Sequence, residues 1–136
     1  MDELPEWPPG TVAILSTGAG APHAIPVSTA VRTGPRAIHL ALALRRESLT
    51  RLREDPRCAL TVLADGDVAV TALGRAAIVE EPMAVADNVA AVRIDVEAVQ
   101  DHNQPRFEID AGVAWHWTDD DDAARDGEIR AALADR

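Results

Sequence analysis

The sequence contains no lysine and no tyrosine, and it has only one cysteine, one phenylalanine and three tryptophans. A single cysteine, Cys58, excludes a disulfide within the chain. Because aromatic side chains are so few, a core must be built from Ala, Val, Leu and Ile, and the 47% hydrophobic content is sufficient for one. The 136 residues fit one domain. With its abundant alanine and arginine-only basic residues, the composition suggests a GC-rich, bacterial gene.

Positive charge is also scarce, since 23 acidic and 13 basic residues give a formal net charge of -10. Nucleic acid is therefore not an expected partner, because duplex binding needs a basic surface that displaces counterions. An anionic membrane surface is disfavoured for the same reason. No apolar run approaches the roughly 20 residues of a membrane span, and the acidic, proline-rich residues 1–10 do not resemble a signal peptide. We expect a cytoplasmic protein.

Alternating apolar and polar residues between glycine- and proline-rich turns dominate the chain from residue 11 onward. Seven such segments predict strands: 11–17, 23–32, 36–44, 57–63, 67–80, 89–99 and 106–117. Within them, Pro26 indicates an edge strand or a bulge, and Gly74 indicates a bend or a bulge. Leucines three apart among charges predict a short helix over 46–54, and a second short helix is expected over 82–88.

This order of elements predicts a mainly β fold, because strands and helices do not alternate as they do in parallel α/β proteins. We expect an antiparallel barrel or sandwich of six to seven strands with short helices. Residues 1–10 form an extended arm and residues 11–118 form the barrel domain. Residues 119–136 form an acidic tail that is helical or frayed.

Arginines are concentrated between residues 32 and 57, where seven of them accompany three acidic residues. Arg45 and Arg46 lie where a strand meets the predicted helix. Their forked donors, the free N–H groups at the helix start and the Ser48 hydroxyl together suit a phosphate. A solvated helix face paired with the acidic surface explains the same charge pattern equally well.

Other candidate sites are weaker. The histidines lack the spacing of metal ligands, so no metal site is predicted; they are His23, His39, His102 and His116. Cys58, in an apolar strand, is typical of a small buried hydrophobe, and no nucleophile motif identifies a catalytic residue. Trp115 and Trp117 share one face of the predicted last strand. There they line a ligand pocket, a subunit interface or the core.

The sequence resembles the pyridoxamine 5'-phosphate oxidase-like flavin-binding split-barrel superfamily. The pattern is an AILST strand, a glycine turn, PHAIPV, a strand, a short basic helix, a DPR turn with its strand, and a V.V.G.A-like strand after a hairpin. The matching segments are 12–32 (VAILSTGAGAPHAIPVSTAVR), 36–62 (RAIHLALALRRESLTRLREDPRCALTV) and 68–79 (VAVTALGRAAIV). The resemblance covers about residues 11–80 and is weaker as far as Trp117.

The resemblance implies an antiparallel split β-barrel that forms a homodimer with cofactor sites at the subunit interface. The implied cofactor is FMN or, in actinobacterial branches, the deazaflavin coenzyme. Its ring would lie along four consecutive residues, Pro26, Val27, Ser28 and Thr29. Its phosphate would lie near the start of the helix, beside Leu44, Arg45, Arg46 and Ser48. A C-terminal strand of the partner would add Trp115 or Trp117.

The absence of lysine departs from this family pattern. Many members of the superfamily place a phosphate-binding lysine at the position that Ser48 occupies here. Arg45 or Arg46 would have to replace it, or the cofactor would bind weakly or not at all.

The resemblance implies a flavin-dependent oxidoreductase that transfers hydride between its cofactor and a small-molecule substrate. The flavin supplies that chemistry, so the protein has only to bind, orient and exclude water. Two alternatives stay open: a non-catalytic flavin- or haem-binding or sensor protein, and a dimer that has lost its cofactor. The missing lysine is the argument for the last.

Overall fold

A computed structural model describes all 136 residues as seven strands and two helices. The strands before the first helix are β1 (Ala13–Thr17), β2 (His23–Val27), β3 (Val31–Gly34) and β4 (Ala37–Ala43). Helix α1 (Glu47–Glu54) follows, and then β5 (Arg57–Ala64), β6 (Val68–Glu80), β7 (Val89–Asp101) and helix α2 (Asp120–Ala134). Neither helix is long and apolar enough to cross a membrane.

The strands form one antiparallel sheet in the order β2-β1-β5-β6-β7-β4-β3. This confirms the predicted mainly β, antiparallel fold and is consistent with a split barrel. Pro26 lies in the edge strand β2, where its missing N–H breaks no ladder between two neighbours. Strands β2 and β3 are consecutive in the chain but lie at opposite edges of the sheet. Ser28, Thr29 and Ala30 connect them and thereby mark the split.

Gly74 lies at a register shift between β6 and β7, as predicted. A Cβ atom at this position would lie 2.2 Å from the Asp95 carbonyl oxygen. The two strands therefore approach more closely at the bulge than any other residue would allow.

The barrel interior is a cluster of 22 buried residues that contains no aromatic side chain. Leu15, Leu40, Leu60 and Val92 are at most 1% exposed. The core is thus aliphatic, as the composition predicts. Trp7 from the N-terminal arm packs against this cluster from outside and donates a hydrogen bond to the Ala30 carbonyl at 3.0 Å.

Helix α2 packs on the outside of the barrel, against β3 and β4. Asp119 begins it by accepting hydrogen bonds from the backbone N–H groups of Asp121 and Asp122. Ile129 and Leu133 are its buried apolar side chains. They belong to a second cluster of five buried residues with Met83, Ala86 and Ala91.

Three predicted elements differ from the structure. Residues 23–32 form two strands rather than one, because the chain passes from one sheet edge to the other at 28–30. The helix expected over 82–88 is wrong: these residues form turns with a bridge between Met83 and Ala86, whose side chains are buried in the outer cluster. The strand expected over 106–117 is also wrong. That segment is almost wholly exposed and joins no strand of the sheet.

Candidate functional site

A cavity of about 320 Å³ lies at the split of the barrel, between the end of β2 and helix α2. The β-sheet side of this cavity consists of residues 25–29 together with Ala41, Leu42 and Ala43 of β4. Arg46 and the start of β7 line one end. Trp117 and one face of α2 complete the lining.

All four residues that the resemblance assigns to the cofactor ring line this cavity: Pro26, Val27, Ser28 and Thr29. Their hydroxyl groups differ in availability. The Thr29 hydroxyl donates to the Ala41 carbonyl at 3.2 Å and accepts from the Ala41 N–H at 3.0 Å, so it holds the connection against β4. The Ser28 hydroxyl has no hydrogen-bond partner in the protein and is free to bind a ligand.

The predicted phosphate residues are separated by the turn before α1. Arg46 is the residue that precedes this helix, and it lines the cavity without a hydrogen-bond or ion-pair partner for its guanidinium. Leu44 and Arg45 are exposed outside the cavity. Ser48 is fully buried and does not line it. Of the predicted phosphate residues, the structure therefore brings only Arg46 to the predicted ring residues.

Ser48 belongs instead to a chain of polar contacts that sequence reasoning missed. Its hydroxyl lies 3.2 Å from Nε2 of His23, and Nδ1 of His23 lies 3.1 Å from a carboxylate oxygen of Glu47. A proton on Nδ1, toward the Glu47 carboxylate, would leave Nε2 to accept from the Ser48 hydroxyl. No sequence signal joins residues 25 positions apart in this way.

The Ser48–His23–Glu47 chain has the order of a nucleophile, base and orienting acid. However, Ser48 is 0% exposed, so no substrate can reach its hydroxyl. Cys58 offers no nucleophile either, because burial raises the pKa of its thiol to about 12. We therefore interpret the polar chain as a structural link between β2 and α1.

The two tryptophans lie beside the cavity on the extended segment before α2. Their rings meet edge to face, with centroids 5.6 Å apart and planes at 81°. Trp117 lines the main cavity, and both rings line a neighbouring cavity of about 360 Å³ that shares Pro26, Val27 and Ser28. The indole N–H of Trp115 donates to the Gly10 carbonyl at 2.8 Å. The structure thus brings both predicted tryptophans to the predicted ring strand within one chain.

Helix α2 contributes cavity residues that the sequence analysis did not identify: Asp122, Arg125, Asp126 and Ile129. Their spacing, i, i+3, i+4 and i+7, places them on one helix face. That spacing is a signal in the sequence, but three of the four side chains are charged, so hydrophobic periodicity does not detect it. Asp126 is 5% exposed, and one of its oxygens lies 3.0 Å from Nε of Arg130.

The fold is shared with solved structures of low sequence identity. A proposed pyridoxamine 5'-phosphate oxidase from Listeria innocua superposes with a TM-score of 0.58 at 12% identity, covering 69% of this chain and 90% of that one. An FAD-binding protein from Mesorhizobium loti gives 0.54 at 16% identity, covering 65% and 83%. An F420 reductase gives 0.56 at 12% identity, covering 68% and 91%. No protein-family model matches the sequence, and no curated protein is significantly similar to it.

Proposed function

We propose that this protein binds a flavin nucleotide, FMN or a deazaflavin, in the cavity at the barrel split and acts as an oxidoreductase on a small molecule. The observation that carries the proposal is the convergence of Pro26–Thr29 and Arg46 on one cavity. The resemblance assigns Pro26–Thr29 to the ring and Arg46 to the phosphate, and Arg46 follows Thr29 by 17 positions in the chain. The shared fold with an FAD-binding protein and an F420 reductase supports the same ligand class.

The chemistry of the cavity suits such a ligand. Its sheet side is largely apolar, and there the free Ser28 hydroxyl offers one polar contact to a flat ring. Arg46 offers a forked cationic donor that matches a phosphate. A bound flavin would supply hydride transfer, while this chain's residues bind it, orient it and exclude water. Ser28 and the β2 backbone would fix the ring, and Arg46 would fix the phosphate.

We further propose a homodimer whose second copy completes the site. A cavity of about 320 Å³ is at the small end of the range for ligand pockets, so a nucleotide needs additional walls. The segment before α2 leaves Phe107, Val113, Trp115 and Trp117 between 37% and 66% exposed. Exposed aromatic and aliphatic side chains beside a partly built site are typical of a subunit interface. Sedimentation analysis that finds only monomer would contradict the dimer.

The direct test of the proposal is an absorbance scan of the purified protein, alone and after separate additions of FMN, deazaflavin coenzyme and haem. We expect near-stoichiometric binding of one flavin. A haem spectrum instead, or no binding of any of the three, would contradict the proposal. Turnover with a nicotinamide or a dye then tests whether the bound flavin is catalytic, and a complex that binds flavin but never turns over is a carrier or sensor.

The two adjacent arginines offer a sharper test of the phosphate assignment. Arg46→Ala should weaken FMN binding about tenfold, because the loss of one charge-assisted contact to a partly solvated phosphate costs about 1.4 kcal/mol. Arg45→Ala removes the same charge one residue away, outside the cavity, and should have a much smaller effect. Equal effects of the two substitutions would show general electrostatic attraction rather than a specific contact.

A further inference from the structure

We propose that Arg125 of helix α2 is a second anion-binding residue of the cavity and shares the cofactor phosphate with Arg46. The inference rests on the proposed function, because it names how the same cavity holds an anionic ligand. It differs from the pattern that the sequence resembles, since the residue comes from the C-terminal helix and not from the turn between β4 and α1.

The first argument is the pairing of the arginines across the whole chain. Eight of the thirteen arginines form an ion pair with a carboxylate, and Arg36 donates to backbone carbonyls. The four that remain without a partner in the protein are Arg45, Arg46, Arg106 and Arg125. Two of these four, Arg46 and Arg125, line the same cavity. In a chain with 23 acidic residues, two unpaired arginines that line one cavity from different elements point to an anionic ligand there.

The second argument concerns the two carboxylates that also line the cavity. Asp126 lies within ion-pair distance of Arg130, at 3.0 Å, although the two atoms form no hydrogen bond, and it forms no ion pair with Arg125. Asp122 lies in the first turn of α2, where the helix N-terminus stabilises negative charge. It forms no ion pair with either arginine. The negative charge of Asp122 should therefore weaken the binding of an anionic ligand slightly. Removing this charge should strengthen the binding, which gives the proposal a test.

The third argument is the absence of lysine. A phosphate group has three strong acceptor oxygens and can therefore accept from more than one cationic donor. Ser48, at the position where the resemblance places a lysine, is buried in its contact with His23. Arg125 would supply a second positive charge to the same cavity from helix α2.

The experiment compares FMN with riboflavin, which has the same ring and no phosphate. Arg125→Ala should weaken FMN about tenfold and leave riboflavin unchanged. Arg106→Ala is the matched control, because it removes the same charge from an unpaired arginine outside the cavity, and it should change neither affinity. Asp122→Asn should strengthen FMN by about twofold. Arg125 is exposed, so the thermal melt of Arg125→Ala should match the parent, whereas Asp122→Asn loses a charge that the helix N-terminus stabilises and should melt slightly earlier.

The outcomes separate the two proposals. If FMN binds and Arg125→Ala affects FMN and riboflavin alike, or affects neither, the Arg125 assignment is overturned and the flavin proposal stands. If no flavin binds, the flavin proposal fails, and an NMR titration with inorganic phosphate decides the assignment. Saturable shifts of the Arg46 and Arg125 side-chain N–H signals, lost in Arg125→Ala, would support it. No response at Arg125 would overturn it.

Discussion

The strands that line the cavity are held more firmly in the fold than the helix that lines it. Strands β2 and β4, on one side, are hydrogen-bonded into the sheet and continue into the interior cluster of 22 buried residues. Helix α2, on the other side, is anchored in a cluster of five. Its only hydrogen bond to the sheet through a side chain joins Arg136, just beyond the helix, to Glu80. The same site therefore combines a rigid strand surface with a lightly held helix.

This difference indicates which part of the site moves first. Ile129 and Leu133 are the only apolar side chains of α2 that are fully buried, and each contributes about 1.5–3 kcal/mol. The Asp126–Arg130 pair lies within the helix and does not hold it to the sheet. We expect α2 to open in local unfolding events that leave the barrel intact.

The largest expected effect comes from the interior core. Leu60→Ala in β5, where Leu60 is 0% exposed, should lower the free energy of unfolding by about 2–5 kcal/mol. Urea denaturation followed by circular dichroism measures this. Leu63→Ala is the matched control on the same strand, since Leu63 is 54% exposed and should cost little. Similar losses at the two positions would contradict the assignment of the interior cluster as the main source of stability.

The second prediction weakens the helix side alone. Leu133→Ala should destabilise the docked helix by about 2–3 kcal/mol, because a fully buried side chain leaves a cavity in a small cluster. Hydrogen exchange should then accelerate at the α2 amides and stay unchanged in β5 and β6. FMN affinity should fall as well, since Arg125 is carried on this helix. Equal acceleration throughout the barrel would mean that α2 and the barrel unfold as one unit.

The third prediction concerns the link between β2 and α1. His23→Ala removes the partner of the Ser48 hydroxyl, which is fully buried. An unsatisfied buried hydroxyl costs about 1–3 kcal/mol. The double variant His23→Ala with Ser48→Ala should recover part of this loss in a thermodynamic cycle. If Ser48→Ala adds its full cost on top of His23→Ala, the two side chains are not coupled.

The strand side of the site was predictable from sequence and the helix side was not. Alternation and turn residues identify strands, so the mainly β, antiparallel fold follows from local pattern, and so does an irregularity at Gly74. The same pattern limits Pro26 to an edge strand or a bulge, and the split barrel is what the family resemblance adds. The cavity-facing side of α2 carries Asp122, Arg125 and Asp126 and few apolar residues, so hydrophobic periodicity does not identify it. Which of its residues become buried depends on the part of the sheet against which the helix packs. Likewise, the sequence does not distinguish Arg45 from Arg46 as the phosphate ligand. The conformation of the turn between β4 and α1 brings Arg46 to the cavity and leaves Arg45 outside it.

The smallest predicted effect is a dependence of the helix side on pH. His39 of β4 is 6% exposed, and its Nδ1 lies 2.7 Å from the Thr33 hydroxyl. Burial, followed by the charges of Arg136 and Arg93, lowers the pKa of His39 below its ordinary 6.5, and Asp95 opposes this in part. The fold therefore favours the neutral ring. Between the lowered pKa and 6.5, the unfolded chain binds more protons than the folded chain, so stability falls as the pH falls through this window.

Arg136 lies just after α2, so a proton on His39 should act mainly on the helix side of the cavity. We expect hydrogen exchange at the α2 amides to accelerate more than exchange in β5 when the pH is lowered from about 7.5 to about 5.5, after correction for the intrinsic rates. His39→Gln keeps a hydrogen-bonding side chain but cannot titrate, and it should reduce this difference. His102→Gln, at an exposed histidine whose hydrogen-bond partner is Thr71 of β6, is the control and should preserve it. If the α2 amides of His39→Gln respond to pH as those of the parent do, protonation of His39 is not the cause of the pH dependence of α2.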